Sequence, residues 1–162
     1  MDTHKRKQIH IFGKILFVVY ILFLLYFLIF SDWYGRTGVM EEYHYNLTPL
    51  REVKRFWNYR EQLGVWSVIN LLGNVVIFIP FGFFEAIASF HRSFWWTVAD
   101  GLFLSMLVEV FQLISKVGRF DVDDLILNTS GVVIGYLIFL ACNAIRRMYG
   151  AKRQRARKRK RA

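Results

Sequence analysis

The sequence predicts an all-α, polytopic membrane protein: a bundle of four membrane-spanning helices with the N- and C-termini both in the cytoplasm. Three observations predict it. Hydrophobic residues make up 55% of the 162-residue chain, with sixteen Phe, eight Tyr and five Trp, more apolar surface than one small aqueous core can hide. That apolar material is gathered into four long runs. The basic residues gather beside those runs: ten of the 22 Lys and Arg lie between Arg146 and Arg161, and Lys5, Arg6, Lys7 and Lys14 precede the first run. Basic clusters flanking apolar segments are topology signals and anionic-lipid contacts, so the net charge of +10 points to membrane lipids and not to nucleic acid.

The runs are 15–30, 65–84, 97–115 and 125–145. A helix needs roughly 17–25 residues to cross the hydrocarbon layer. The first run is short, but Lys14 can snorkel outward while Trp33 and Tyr34 sit at the far interface. The residues that follow it, Ser31-Asp32-Trp33-Tyr34, offer no small-residue cleavage site, so it reads as an uncleaved anchor. Residues 1–145 read as a single four-helix membrane domain and residues 146–162 as a basic cytoplasmic tail. The basic ends fix the cytoplasmic side. Segments 31–64 and 116–124 then lie outside, with seven Lys/Arg against eight Asp/Glu, and the turn 85–96 lies inside.

Polar side chains within these runs demand an explanation, because an ionisable or amide group in lipid costs several kcal/mol unless it is paired. Ser105, Glu109, Gln112 and Lys116 are spaced by four, three and four residues. At about 100° per residue they share one stripe of the third helix, which Gly101 extends. Asn70, Gly73 and Asn74 share a face of the second, and Asp124, Asn128, Gly131 and Gly135 a face of the fourth. Glu109, Asn74 and Asn128 fall at similar depths in the outer half of the bilayer, and the economical arrangement turns them toward one another as an outward-opening polar pocket. The Gly131-x-x-x-Gly135 spacing lets the fourth helix approach a neighbour closely.

Above the pocket lies Arg119-Phe120-Asp121-Val122-Asp123-Asp124. Three carboxylates and a guanidinium at a membrane surface can clamp a phosphate, hold a divalent cation, or cap the helix that follows, with Asp123 or Asp124 the expected cap. Pro80 should kink or end the second span near its cytoplasmic end. Asn46-Leu47-Thr48-Pro49 fits the glycosylation-acceptor rule but reads more plainly as a turn opened by Asn and stiffened by Pro. Arg51, Lys54, Arg55 and Arg60, interleaved with Phe56, Trp57 and Tyr59, read as an interfacial helix on the outer leaflet. His4, His10 and His44 are isolated, and Cys142 within an apolar run reads as a packing residue. No Walker loop, dinucleotide fingerprint, serine triad or HExxH is present, so soluble-enzyme templates do not apply.

The series Asn46-Leu47-Thr48-Pro49, then NLLGNVVIFIPFG from Asn70 to Gly82, then Glu109-x-x-Gln112, Arg119-x-Asp121-x-Asp123-Asp124, Asn128, Gly131 and Gly135 resembles the VanZ-like family over about residues 46–136. The resemblance implies a multi-pass protein of the bacterial cell membrane and, for the founding member, lowered sensitivity to the glycopeptide teicoplanin. It supplies no settled biochemical activity.

Two functional classes fit. In the first, the protein binds or processes head groups of outer-leaflet lipids or lipid-linked cell-wall precursors. Glu109 is then the acid/base, with Asp121 and Asp124 beside it. Asp121, Asp123 and Asp124 hold a cation or orient a nucleophile. Arg119 neutralises phosphate, and Asn46, Asn70, Asn74, Gln112 and Asn128 position the head group. In the second, the protein is a non-catalytic factor that shields a glycopeptide's target or scaffolds envelope proteins, and the polar residues are interhelical glue. A transporter fits less well, because side chains below Ser105 read as mostly apolar.

Overall fold

The computed structural model describes residues 3–30, 42–89 and 93–159. In chain order the elements are α1 (Thr3–Phe30), β1 (Tyr45–Asn46), α2 (Arg51–Ala88), α3 (Phe94–Ile114), β2 (Phe120–Asp121) and α4 (Val122–Arg159). Each helix holds a stretch long and apolar enough to cross a membrane: Ile11–Leu28, Leu71–Ala88, Phe94–Ile114 and Val122–Arg153. The four expected spans are therefore all present as helices. The interfacial positions assigned to Trp33 and Tyr34 lie outside the described residues.

Close backbone approach joins α2 to α4. A Cβ added at Gly131 would run into the Val75 carbonyl, one at Gly135 into the Ile79 carbonyl, and one at Gly82 into the Val132 carbonyl. These small residues let two helix backbones touch, which suits a bundle in lipid, where dispersion and short polar contacts replace the hydrophobic effect between helices. Leu24, Leu28, Phe78, Phe81, Val108 and Val132 form the buried core beside that seam. Helix α1 leans on α2, with Phe17 and Phe81 ring centroids 5.4 Å apart and the Tyr20 hydroxyl donating to the Ile77 carbonyl.

Gly13 lies against Ile87, and Phe94 lies 5.5 Å from Tyr136. The first half of α1, the end of α2, the start of α3 and the later part of α4 therefore share one end of the bundle, hereafter the turn end. At the other, the loop end, β1 pairs in parallel with β2, Tyr45 opposite Phe120 and Asn46 opposite Asp121. This two-residue ladder is the small departure from an all-helical chain.

Helix α3 is inverted relative to a water-soluble helix. Its buried residues are Thr97, Gly101, Ser105, Val108, Glu109 and Gln112, while Phe103, Leu107 and Ile114 are exposed. Lipid tails solvate the apolar side, and the polar side turns inward to find partners.

Pro80 lies inside α2, which continues to Ala88, so it does not end the second span. The helical run Arg51–Ala88 is nevertheless not straight. The Glu52 amide is bonded to Asp123 and the Asn74 side chain to Asp124. Two adjacent residues with extended side chains hold those points within about 22 Å of each other. A straight helix would separate them by about 33 Å at 1.5 Å per residue. The run therefore folds back between Glu52 and Asn74. The first turns of α2 thus run across the bundle's loop end instead of prolonging the span, in keeping with a separate interfacial segment.

Candidate functional site

The loop end is organised around the first two turns of α4. Asp121 precedes that helix, and its Oδ1 accepts the N–H of Asp123 at 3.0 Å, so Asp121 is the side chain that caps α4. The same oxygen accepts Asn46 Nδ2 at 2.9 Å, and Asp121 Oδ2 lies 3.1 Å from Arg119 Nη2. Asn46 in turn accepts the Thr48 N–H at 3.2 Å, which closes the turn expected at Asn46–Pro49. Asn46 is buried, with its amide bonded both within this turn and to Asp121.

The sequence leaves Asp123 or Asp124 as the cap of α4, and Asp123 does not serve it. Instead its carboxylate reaches across to the start of α2, accepting the N–H of Leu50 and, at 2.7 Å, that of Glu52. Leu50 sits in the left-handed region at φ 60° and supplies no side-chain cap. The first amides of α2 would otherwise be orphaned, and a carboxylate 71 residues away satisfies them. Glu52 strengthens the attachment by pairing with Arg119 at 3.3 Å and with Arg55 at 3.1 Å.

Below this layer the three spans meet. Asn74 of α2 donates to Asp124 of α4. Glu109 of α3 accepts the Asp121 N–H at 2.9 Å. Asn128 of α4 donates to Ser105 of α3 at 2.8 Å. Asn74, Ser105, Glu109, Asp121, Asp123 and Asn128 are all buried, and Asn128 Oδ1 has no hydrogen-bond partner among the described residues. Gln112 turns elsewhere: its Nε2 donates to the Leu28 carbonyl at 3.1 Å, tying α3 to the last turns of α1. The side chain of Asn70 lies outside those described.

Apart from Asn70, the sequence-selected residues are thus brought together around the start of α4, with Gln112 at the margin. Their chemistry is divided differently from the expectation. The three aspartates do not converge: Asp121 faces Asn46 and Arg119, Asp123 faces the amides of α2, and Asp124 faces Asn74. Among the described residues no group of three or more His, Cys, Asp or Glu side chains is placed to hold a metal ion. Arg119, half exposed, is flanked by two carboxylates, which offset the charge it was expected to offer a phosphate.

One buried polar pair was not anticipated. Glu85, placed by the sequence pattern in the inner turn, lies inside α2, where its carboxylate accepts the hydroxyl of the fully buried Thr97. The signal available was the spacing: Thr97 continues the Gly101–Ser105–Glu109 stripe by four residues. The polar face of α3 therefore runs to the turn end, interrupted where Val132 packs against Gly101.

Four apolar helices around a buried set of carboxyl and amide groups at one end define a polytopic helical membrane protein with a buried polar cluster. The VanZ/LLP1 family model matches residues 17–143. Protein VanZ of Enterococcus faecium is 31% identical over 134 residues, a match covering 78% of this chain and 75% of that protein. The chain belongs to the VanZ family. No solved structure matches it.

Proposed function

We propose that this protein, a multi-pass component of the bacterial cell membrane, acts on head groups of outer-leaflet lipids or lipid-linked cell-wall precursors and so affects sensitivity to teicoplanin-type glycopeptides. The observation that supports this reading is Glu109, a buried carboxyl inside a membrane-crossing helix, whose Oε2 accepts the N–H of Asp121 in the chain segment that leads into α4. A carboxyl positioned at a bundle end and screened from bulk water can give or take a proton at a bound head group. Asp124, steadied by Asn74, is the second carboxyl in reach of the same ligand. Asn128 is the amide that orients it. Asp121 and Asp123 position these groups through the backbone they hold, and Asn46, Arg119 and Gln112 act through the loop and through α1. With the basic termini cytoplasmic, the loop end faces outward, and the basic tail contacts anionic lipid of the inner leaflet.

A second reading is that the protein is a non-catalytic factor shielding the glycopeptide target or scaffolding envelope proteins. The mutual pairing of Asn46 with Asp121, Asn74 with Asp124 and Ser105 with Asn128 favours it, since interhelical glue makes such pairs. One comparison separates the two: lipids and cell-wall precursors profiled in cells carrying the wild-type chain or Glu109→Gln, at matched membrane abundance. A defined species that changes only with the wild type supports the head-group reading. Full retention of glycopeptide insensitivity by Glu109→Gln removes it.

A further inference from the structure

The outward face of the loop-end segment carries an arrangement that the buried site does not use. In the first turns of α2, Arg51, Lys54, Arg55 and Asn58 are exposed, while Glu52, Val53 and Phe56 are half-buried. At about 100° per residue the four exposed residues form one stripe opposite Val53 and Phe56. Trp57 and Tyr59, 70% and 51% exposed, fall on either flank of that stripe. Tyr43, Tyr45, Leu47 and Leu50, also exposed, extend the aromatic and apolar surface along the preceding loop. Glu52 engages Arg55 and Arg119, whereas Arg51 and Lys54 make no ion pair among the described residues.

Indole and phenol rings with one apolar and one polar end settle at the headgroup level of a bilayer. Trp95 and Trp96, exposed at the turn end of α3, mark the opposite interface in the same way. The fold-back of α2 is what places Trp57 and Lys54 across the bundle end instead of far out in water, because the segment is fastened to Asp123 at its start.

We propose that the outward face of residues 43–59 is a docking surface for anionic phospholipid headgroups, with Arg51 and Lys54 meeting the phosphates and Trp57, Tyr59, Tyr43 and Tyr45 seated among them. Charge complementarity commits the surface to anionic lipid: two uncommitted cations beside rings that favour the headgroup layer. It is independent of whether the buried carboxyls act on anything.

The test uses the full chain with Trp33, Trp66, Trp95 and Trp96 replaced by Phe, so that Trp57 alone reports, in vesicles of phosphatidylcholine with or without phosphatidylglycerol. Lipids brominated high in the acyl chain should quench Trp57 more than lipids brominated deeper, and iodide should quench it weakly. On the same background, each of Arg51→Gln and Lys54→Gln should lower the preference for spin-labelled phosphatidylglycerol over phosphatidylcholine by about fivefold. The basic tail contributes equally to both sides of that comparison. Quenching of Trp57 by iodide as in free indole places the surface in water and overturns the proposal. Protection from both quenchers shows a protein partner instead and overturns it equally, as does an unchanged lipid preference in a substituted chain with wild-type helix content.

Discussion

Removing the Asp123 carboxylate isolates the contact that shapes the loop end. It accepts two backbone amides at the start of α2, from Leu50 just before the helix and from Glu52 within it, while fully buried itself. Bonds to an ionised acceptor contribute about 1.5–3 kcal/mol each, and loss of a helix N-cap costs about 1 kcal/mol. These overlap, because the capping bonds are the same bonds, so Asp123→Ala should weaken the attachment by about 3 kcal/mol. That corresponds to about a 150-fold rise in the open population of this segment. Hydrogen exchange read by mass spectrometry on the protein in nanodiscs reports it directly: peptides covering 47–60 should exchange far faster, while those covering 97–114 keep their protection. Asp123→Asn, which retains one carbonyl acceptor, should fall between. Exchange in 47–60 within about threefold of wild type, with the rest of the chain protected, would show that these bonds do not hold α2 and would refute the fold-back derived from them.

Further outcomes follow from the same contacts. Gly135→Ala and Gly131→Ala place a methyl group against the α2 backbone and should each cost about 2 kcal/mol or more of thermal stability in detergent; a change below about 0.5 kcal/mol would mean that the helices can separate freely. Thr97→Val removes the hydroxyl that Glu85 accepts and should cost about 1–3 kcal/mol, with Thr97→Ser restoring most of it. Arg119→Gln breaks the pairs to Glu52 and Asp121; since Arg119 is half exposed, the loss should be modest, about 1 kcal/mol, and should shrink as salt is raised.

Much of this arrangement is legible in the sequence because lipid imposes strong local rules. A run of apolar residues long enough to cross must be a helix, so the four spans follow from length alone. Ser105, Glu109 and Gln112 share a stripe by helical periodicity, and burial of that stripe follows from the cost of a polar group facing lipid. Gly131 and Gly135 predict close approach, and the structure supplies the partner, α2. What periodicity does not encode is partnership between distant segments. Nothing local to Asp123 says that it caps a helix starting at Arg51 and not its own; that depends on the β1–β2 pairing, which brings the two chain segments side by side. The direction of the first turns of α2 is hidden for the same reason: the sequence separates an interfacial segment from a span beginning at Val65, but how the two lie shows only once Glu52 and Asn74 are seen fastened to neighbouring aspartates. Gln112 lies on the correct face, yet its target is a carbonyl of α1, and backbone acceptors leave no trace in a side-chain pattern. Glu85 falls in the inner turn in the sequence because the apolar run ends at Phe84; the buried Thr97 hydroxyl that it accepts is what lets the helix carry a carboxyl further.

The claim on which everything else depends is that amides and carboxyls from separate crossings engage one another at the head of α4. A double-mutant cycle on Asn74→Leu and Asp124→Leu, read by reversible unfolding of the protein in bicelles, measures that engagement without requiring any activity. Direct bonding between the two side chains predicts a coupling energy of about 1–3 kcal/mol. Strict additivity of the two substitutions would mean that Asn74 and Asp124 do not meet, and the shared polar site would not exist.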